Sequence, residues 1–363
     1  MRLLAISSHA DTLNSVRPEA ELFIGLQQAG VNVTVLTQAD SPYAQRMQDA
    51  GVTVVNNHIR RKFSLSTVRI IRDSVRERAI DIVYAFNNKA ICNAAFASIG
   101  LDVLLFAYRG QTGNINRGDP TPYLSILHPR VDGIIGVAEA VVNSLKSVAK
   151  NKTLHTVYKG HALEWYDEPA ADRQSLGLSD DDFVVGCVAN NRPRKGVAYL
   201  IEACGELTDL PNLKLMLIGS GMTQTELGTA VAATNLGDRV LMLGRRDDAT
   251  QLIQACDVSV LPAIRREGLP KTVIEAMAYG IAPIVTDTGG NAELVAHNQS
   301  GLVVPVQNAA ALADAIRQLH QDVRLRTRLA SAARERVHSH FNVEQGVAKT
   351  LSIFEDALRK RDT

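Results

Sequence analysis

The sequence predicts an α/β protein of two domains, each built on a parallel sheet of the Rossmann type. Its 363 residues exceed the size that a single hydrophobic core usually reaches. The chain opens as strand, helix and strand, because apolar runs at residues 3–7 and 31–37 flank a helical pattern that ends at Gly30. A second unit of this kind lies at residues 257–286. A helix that joins neighbouring strands indicates that the strands run parallel.

Composition excludes several classes of protein. The net charge is only +1, so bulk charge predicts no nucleic-acid partner. The 4 cysteines are far apart and predict neither a disulfide framework nor a metal motif, which suits a reducing compartment. The apolar start is too short for a signal peptide, and no apolar run reaches about 18 residues. We expect a cytoplasmic protein, with any membrane contact peripheral at the inner face of the cell membrane.

The most informative stretch is residues 257–295. A buried strand at 257–262 is followed by a polar loop at 267–272, a helix at 273–279 that ends at Gly280, and a strand at 281–286. The polar residues therefore follow the carboxyl end of a parallel strand, where open α/β sheets bind ligands.

Two glutamates in this stretch, Glu267 and Glu275, are eight positions apart and can face one cleft. Carboxylates accept hydrogen bonds from pairs of hydroxyls. Between them, the amides of Leu269, Lys271 and Thr272 open a helix whose positive end favours phosphate. A diphosphate with a hydroxyl-rich ring on each side describes a nucleotide-sugar. The alternative is that Glu267 caps the helix and Glu275 is a solvated helix residue.

The stretch EGLPKTVIEAMAYGIAPIVTDTGG at residues 267–290 resembles the donor-site signature of the retaining glycosyltransferases of family 4, also called glycosyl transferases group 1. The resemblance implies the GT-B fold, in which two Rossmann-like domains face each other across a cleft. It implies that Glu267 contacts the transferred sugar near the reacting centre and that Glu275 holds the ribose. It also assigns to the donor site Gly268, Leu269, Pro270, Lys271 and Thr272.

The same resemblance divides the chain into three parts. Residues 1–165 are expected to form an acceptor-binding domain, residues 166–340 a nucleotide-sugar-binding domain, and residues 341–363 a terminal helix that crosses back to the first domain. A linker is expected at residues 163–179.

Four further residues are assigned to the donor site. In the family, a pair of cations in the loop after the strand at 183–189 neutralises the diphosphate, and Lys195 with Arg192 takes this role here. Arg245 lies where the family places a loop over the nucleotide base. Gly219 ends the strand at 213–219, although a lone G-x-G indicates little beyond a tight turn.

The amino-terminal half departs from the family in two places. A histidine usually follows the strand at 103–108, but here Tyr108 and Arg109 occupy that position. Arg109 is either a catalytic cation that binds a phosphate or a sugar hydroxyl, or a structural ion-pair residue. A glycine pair expected in the first loop is replaced by residues 14–17, where Ser15 and Arg17 can receive an anion.

Residues 58–78 are strongly basic, with seven arginines and lysines against two acidic residues. Arg69, Arg72 and Arg76 follow helical spacing beside an apolar stripe. This pattern indicates either a solvated helix edge or a docking face for anionic lipid or a phosphorylated acceptor.

These observations predict a metal-independent, retaining glycosyltransferase without a cofactor. It would move a sugar from a nucleotide-sugar, with a UDP-sugar expected, to a saccharide or lipid-linked acceptor in lipopolysaccharide, capsule or other cell-surface glycan synthesis. The D-x-D at residues 180–182 is interpreted as a solvated turn. A non-hydrolysing nucleotide-sugar epimerase and a degenerate nucleotide-binding protein are the alternatives.

Overall fold

The computed structural model describes residues 1–8 and 13–362, apart from the side chains of residues 13–15 and 362. The side chain of Ser15, to which the sequence analysis assigns an anion role, lies outside this description. The chain divides into two compact units, the first formed by Met1–His161 with Phe341–Thr363 and the second by Ala162–His340. The division thus falls after His161, whereas the sequence analysis places it after residue 165.

The first unit is built on a seven-stranded parallel sheet with the order β3-β2-β1-β4-β5-β6-β7 among the described residues. Its strands are β1 (Arg2–Ile6), β2 (Asn32–Thr37), β3 (Thr53–Asn56), β4 (Ile82–Ala85), β5 (Leu104–Arg109), β6 (Gly133–Gly136) and β7 (Thr153–Thr156). The strands at the centre of the sheet, β1, β4 and β5, are mostly apolar because helices cover both faces of the sheet. These helices are α1 (Leu13–Gln28), α2 (Pro42–Asp49), α3 (Leu65–Glu77), α4 (Asn88–Ala97) and α5 (Glu139–Leu145).

The last helix of the chain, named α13 (Val343–Asp362), also belongs to the first unit. Where the chain leaves this unit and returns to it, the amide of His161 donates to the carbonyl of Phe341 at 2.7 Å. A Cβ at Gly160 would lie 2.4 Å from the Cα of Val343. The absence of a side chain at residue 160 therefore lets the start of α13 pack directly on the end of the first sheet.

The second unit is built on a six-stranded parallel sheet with the order β10-β9-β8-β11-β12-β13 among the described residues. Its strands are β8 (Phe183–Val188), β9 (Leu213–Ile218), β10 (Val240–Gly244), β11 (Val258–Leu261), β12 (Ala282–Thr286) and β13 (Leu302–Val304). Its helices are α6 (Val197–Glu206), α7 (Thr225–Ala232), α8 (Ala249–Gln254), α9 (Lys271–Ala278), α10 (Asn291–Leu294), α11 (Ala309–Gln321) and α12 (Val323–His340).

The segment predicted as a linker is packed against the second unit. Arg173 donates to the carbonyls of Ala255 and Ser179, at 3.1 and 3.2 Å, and its Nη1 lies 3.5 Å from the carboxylate of Asp257. Asp182 accepts a hydrogen bond from the amide of Ser179 at 2.7 Å, so this member of the D-x-D closes a local turn.

Both sheets share one strand order, in which the direction of strand addition reverses next to the first strand of the unit. The reversal lies between β1 and β4 in the first sheet and between β8 and β11 in the second. At such a switch point the flanking loops diverge and leave a crevice at the carboxyl ends of the strands. Each unit therefore carries its own crevice of this type.

Candidate active site

The loops that follow β8 and β11 touch each other at the switch point of the second sheet. Gly196 has a φ of 66°, and a Cβ there would lie 2.0 Å from the carbonyl oxygen of Pro262. The amide of Ile264 donates to the carbonyl of Arg194 at 2.9 Å. A glycine at residue 196 is required by both the backbone angle and the close approach. This contact brings the basic loop after β8 against the acidic loop after β11.

A carboxylate and two cations meet where these loops touch. The Nζ of Lys195 lies 2.8 Å from Oε1 of Glu267, and Nη1 of Arg194 lies 3.2 Å from the same oxygen. The Glu267 side chain is only 6% exposed, so the cations offset the loss of solvent around its charge. The contacts recorded for this carboxylate all involve Oε1, and its other oxygen is Oε2. That oxygen can accept a hydrogen bond from a ligand hydroxyl.

The loop after β12 packs against the backbone of Glu267 and Gly268 and holds it in place. The amide of Gly290 donates to the carbonyl of Gly268 at 3.0 Å. Gly289 has a φ of 57°, and a Cβ there would lie 2.3 Å from the carbonyl oxygen of Glu267. Any side chain at residue 289 would push the glutamate loop out of position.

Helix α9 begins directly after the glutamate loop. Its N-cap is Pro270, and no side chain caps its first turn, so the leading amides remain available to an external acceptor. Because Glu267 is held by the cations of the β8 loop, the alternative that it caps this helix does not hold. Leu269 is buried, whereas Lys271 and Thr272 are half-buried.

Glu275 lies one turn into α9 and is 7% exposed, which excludes the alternative of a solvated helix residue. Its Oε1 lies 2.5 Å from the Nζ of Lys271. Burial raises the pKa of Glu275, and the nearby Lys271 cation offsets only part of that shift. A ligand hydroxyl that donates to this carboxylate would favour its charged form.

The other positions assigned to the donor have different environments. Gly219 ends β9 with a φ of 138°, and a Cβ there would lie 2.0 Å from the carbonyl of Ala189, so this glycine permits packing of the loop after β8. Arg245 follows β10 and is exposed. Arg192 is exposed as well, and Arg194 rather than Arg192 stands beside Lys195. The sequence feature that could have pointed to Arg194 is its position directly before Lys195, in the short turn that ends at Gly196.

The guanidinium of Arg109 binds the backbone of the loop that follows β5. The residue is 8% exposed, and its Nε donates to the carbonyl of Gln111 at 3.0 Å while Nη2 donates to the carbonyl of Gly113. Burial lowers the pKa of the group. Its donors hold the loop that follows β5, and the partners recorded for them are backbone oxygens rather than the acidic side chain of an ion pair.

Tyr108, the neighbour of Arg109, points to the opposite face of the sheet. Its ring stacks on Phe86 with centroids 5.0 Å apart, and the Nζ of Lys159 lies 5.3 Å from its centroid. Burial raises the pKa of Tyr108 to about 12. Lys159 also lies 2.9 Å from Oε1 of Glu19, while the hydroxyl of Ser7 donates to Oε2 of Glu19 at 2.6 Å. This chain of polar groups joins α1 to the ends of β1, β5 and β7.

The basic helix α3 presents only part of its predicted face to solvent. Arg69 and Arg76 are exposed. Arg72 donates from Nη1 to the carbonyls of Ala97 and Ile99, both at 2.7 Å, so it closes the end of α4 and is not part of a free docking face. Two apolar residues, Phe63 and Leu65, are 45% and 64% exposed at the start of this helix.

Within the described part of the chain, no cluster of histidine, cysteine, aspartate and glutamate side chains could hold a metal ion. The cysteines Cys92, Cys187, Cys204 and Cys256 are free and buried. A search of the same residues for a helix long and apolar enough to cross a membrane found none.

Comparison with known proteins finds a family match within the second unit. Residues 169–336 match the family described as "Glycosyl transferases group 1". A similar curated protein is the N-acetyl-alpha-D-glucosaminyl L-malate synthase of Bacillus anthracis, which is 27% identical over 63% of this chain and 60% of its own length. The lipopolysaccharide core biosynthesis mannosyltransferase LpsB of Rhizobium meliloti is 27% identical over 66% of this chain and 70% of its own length. The chain spans between 43% and 60% of the length of the first curated relatives it matches.

Solved structures match almost the whole chain. A glycosyltransferase from Rickettsia africae superposes with a TM-score of 0.81 at 18% identity, covering 98% of each chain. HepE of Anabaena in complex with UDP-glucose gives a TM-score of 0.77 at 21% identity and covers 97% of this chain and 100% of its own. Identities this low show the fold alone. The predicted GT-B type of fold, with two Rossmann-like units, and the predicted resemblance to glycosyl transferases group 1 are confirmed.

The raised pKa of Glu275 predicts a pH-dependent difference in stability. Because its folded pKa lies above the unfolded value of 4.5, the folded state holds its proton more tightly, and the stability that this proton contributes is lost as pH rises through the folded pKa. We expect Glu275→Gln to gain free energy of unfolding relative to the wild type between about pH 4.5 and neutrality, measured by urea unfolding. Exposed Glu202→Gln is the control and should show no such trend. A Glu275→Gln difference that shrinks with rising pH would contradict the assignment.

Proposed function

We propose that this chain, whose second unit carries a glycosyl transferases group 1 domain, moves a sugar from a UDP-sugar to a saccharide or lipid-linked acceptor with its anomeric configuration retained. One observation carries the proposal: Lys195 and Arg194 hold Glu267 at the switch point of the second sheet, beside an uncapped helix start. This places two cations, free amide groups and a buried carboxylate within one crevice.

Each part of a nucleotide-sugar finds a matching group in this crevice. The diphosphate would lie between the cations of the β8 loop and the first amides of α9, because both favour negative charge. The transferred sugar would donate a hydroxyl to Oε2 of Glu267. The ribose would donate its hydroxyls to Glu275, one turn further along α9. The remaining loop residues Gly268, Leu269 and Pro270 are buried and would shape the wall between these two positions.

The chemical step requires stabilisation of the leaving diphosphate. As the bond between the anomeric carbon and the phosphate oxygen breaks, negative charge grows on that oxygen, and Lys195, Arg194 and the α9 amides are already oriented to receive it. An acceptor hydroxyl forms the new bond on the same face of the sugar, and its proton passes to the leaving phosphate. Since protein cations neutralise the diphosphate, we propose that no metal ion is needed.

Similar proteins support the choice of donor and pathway. HepE, which shares the fold, binds UDP-glucose, and another curated relative is a UDP-Gal:alpha-D-GlcNAc-diphosphoundecaprenol alpha-1,3-galactosyltransferase of Escherichia coli, 28% identical over 50% of this chain and 48% of its own length. LpsB is a lipopolysaccharide core enzyme. We therefore place the reaction in the synthesis of lipopolysaccharide, capsule or another cell-surface glycan, and assign the acceptor to the first unit.

Donor binding tests this proposal through two neighbouring arginines. We expect Arg194→Gln to weaken the binding of UDP and its preferred UDP-sugar at least tenfold, or about 1.4 kcal/mol, because it removes a cation from the diphosphate. Arg192→Gln removes the same charge from an exposed side chain two positions away and should change affinity less than about twofold. Isothermal titration calorimetry in the presence of a chelator measures both.

Two outcomes would contradict this account. Equal effects of the two substitutions would mean that bulk charge, not the position beside Lys195, governs binding. Donor binding or turnover that requires Mg²⁺ or Mn²⁺ would show that protein cations alone do not neutralise the diphosphate.

We further propose that the first unit binds an anionic membrane surface at the inner face of the cell membrane. The basic-apolar surface consists of Arg60, Arg61, Lys62, Phe63, Leu65, Arg69 and Arg76, all exposed. Arg69 and Arg76 are two helical turns apart and so lie on one side of α3. Cations beside exposed apolar side chains are the combination that holds a protein at the interface of an anionic bilayer. Such a surface suits an enzyme with a lipid-linked acceptor.

Vesicle binding tests the membrane proposal. Arg69→Gln with Arg76→Gln should weaken binding to vesicles that contain anionic lipid by about 1 kcal/mol per cation, and the effect should fade with added salt. Lys146→Gln with Lys150→Gln removes the same charge from exposed positions elsewhere in the unit and serves as the control. Arg72 is not substituted, because its hydrogen bonds to the carbonyls of Ala97 and Ile99 hold the end of α4. Equal losses in both pairs, measured by vesicle sedimentation, would reject a defined docking surface.

A further inference from the structure

The loop that carries Glu267 has a strained backbone one residue earlier, at Arg266. Arg266 has a φ of 61°, which lies in the left-handed region that residues with a side chain rarely adopt. Within the described part of the chain, it is the one charged residue with a positive φ. A glycine would take the same angle without strain. Strained residues of this kind cluster at active sites and ligand-binding loops, where the surrounding structure holds them.

Contacts on both sides of Arg266 hold its backbone in this conformation. Two residues earlier, the amide of Ile264 donates to the carbonyl of Arg194 at 2.9 Å. Nη1 of Arg194 also donates to the carbonyl of Arg266 itself at 3.4 Å. Two residues later, the carbonyl of Gly268 accepts a hydrogen bond from the loop after β12. The arginine that pairs with Glu267 therefore also holds the strained residue beside it.

The side chain of Arg266 differs from those of the neighbouring cations in what it binds. Lys195 and Arg194 both contact the carboxylate of Glu267. Among the residues that the structure describes, no ion pair or hydrogen bond is recorded for the guanidinium of Arg266. The residue is half-buried, so part of its side chain is covered by the loop. A cation held in this way can bind a ligand anion.

The two adjoining loops contain more positive charge than the groups already assigned to them require. Their sequences are ANNRPRKG at residues 189–196 and PAIRREG at residues 262–268. Five cations stand there with one carboxylate, namely Arg192, Arg194, Lys195, Arg265 and Arg266 with Glu267. Lys195 and Arg194 are assigned to Glu267 and the diphosphate. Of the remaining three, Arg192 and Arg265 are exposed and Arg266 is half-buried next to Glu267.

The place of Arg266 in the loop indicates which part of the donor it can contact. The α9 amides that we assign to the diphosphate follow Glu267 in the chain, whereas Arg266 precedes it. It is thus the direct neighbour of the residue that we assign to the transferred sugar. A negative charge on that sugar would be repelled by Glu267 unless a nearby cation compensated it. The planar fork of an arginine suits this task, because it can donate two parallel hydrogen bonds to one carboxylate.

We propose that Arg266 selects a nucleotide-sugar whose transferred sugar carries a carboxylate, a hexuronic acid. The guanidinium donates to the sugar carboxylate, and the constrained backbone of the loop holds it beside Glu267. A neutral hexose leaves the guanidinium without this partner and binds more weakly. The inference rests on the proposed glycosyl transfer and names the chemical class of the donor sugar.

Isothermal titration calorimetry on the full chain, in the presence of a chelator, tests the proposal with two matched pairs of donors. UDP-glucuronate is compared with UDP-glucose, and UDP-galacturonate with UDP-galactose. We expect at least one acidic donor to bind about tenfold or more tightly than its neutral counterpart, because a charged hydrogen-bonded pair is gained. Arg266→Gln should abolish that preference and change the affinity for UDP less than about twofold, because UDP lacks the sugar.

Two further variants separate the side chain of Arg266 from bulk charge and from strain. Arg265→Gln removes the same charge from the exposed neighbouring residue and should retain most of the preference for the acidic donor. Arg266→Gly removes the guanidinium and takes the positive φ without strain. It should therefore lose the preference while its melting temperature equals or exceeds that of the wild type, and it provides the test if Arg266→Gln does not fold.

Four results would overturn the proposal. They are an equal affinity for the acidic and neutral donors of both pairs, a preference that survives both substitutions of Arg266, an equal loss in Arg265→Gln, and a parallel loss of UDP affinity in Arg266→Gln. The last result would assign the cation to the diphosphate. Failure of the wild type to bind UDP or any UDP-sugar would instead reject the proposed function.

Discussion

The contact of Lys195 and Arg194 with Glu267 is the interaction on which the rest of the second unit's site depends. A charged carboxylate that is 6% exposed is unfavourable without compensating charge. Both compensating cations come from the loop that follows the neighbouring strand β8. That loop can approach only because Gly196 leaves room for the carbonyl of Pro262. On the other side of the glutamate, Gly289 leaves room for the carbonyl of Glu267 itself. Two glycines and two cations thus fix one carboxylate at the end of β11.

The two units use the same strand order but place different side chains at their switch points. The second unit places charged groups there, in keeping with the diphosphate that we propose it binds. Among the described residues of the first unit, Ser7 and Asn87 follow the two strands at the switch point, and the hydroxyl of Ser7 donates to Glu19, which pairs with Lys159. A shared topology therefore determines where a ligand can bind, and the side chains at the strand ends determine which ligand chemistry is favoured.

Local patterns in the sequence predicted the elements around the site better than the side-chain partners. The loop, helix and strand at residues 267–286 were recognisable because apolar periodicity and Gly280 define α9 within a few residues. The partners of Arg109 and Arg72 could not be predicted, because their guanidiniums bind backbone carbonyls, which carry no signature in the sequence. The pairing of Lys159 with Glu19 joins residues 140 positions apart, and no local pattern could reveal it. The choice of Arg194 over Arg192 follows from the short turn before Gly196, whose geometry only the structure gives.

Turnover of Glu267→Gln on the preferred UDP-sugar tests the central claim most directly. The substitution keeps the side-chain volume and removes the charge that Lys195 and Arg194 hold, which we propose lies beside the reacting sugar. The account predicts a fall in kcat of more than about a hundredfold, or roughly 2.7 kcal/mol of transition-state stabilisation, with UDP affinity and melting temperature close to those of the wild type. Near-normal turnover, or a loss explained entirely by weaker UDP binding, would contradict it.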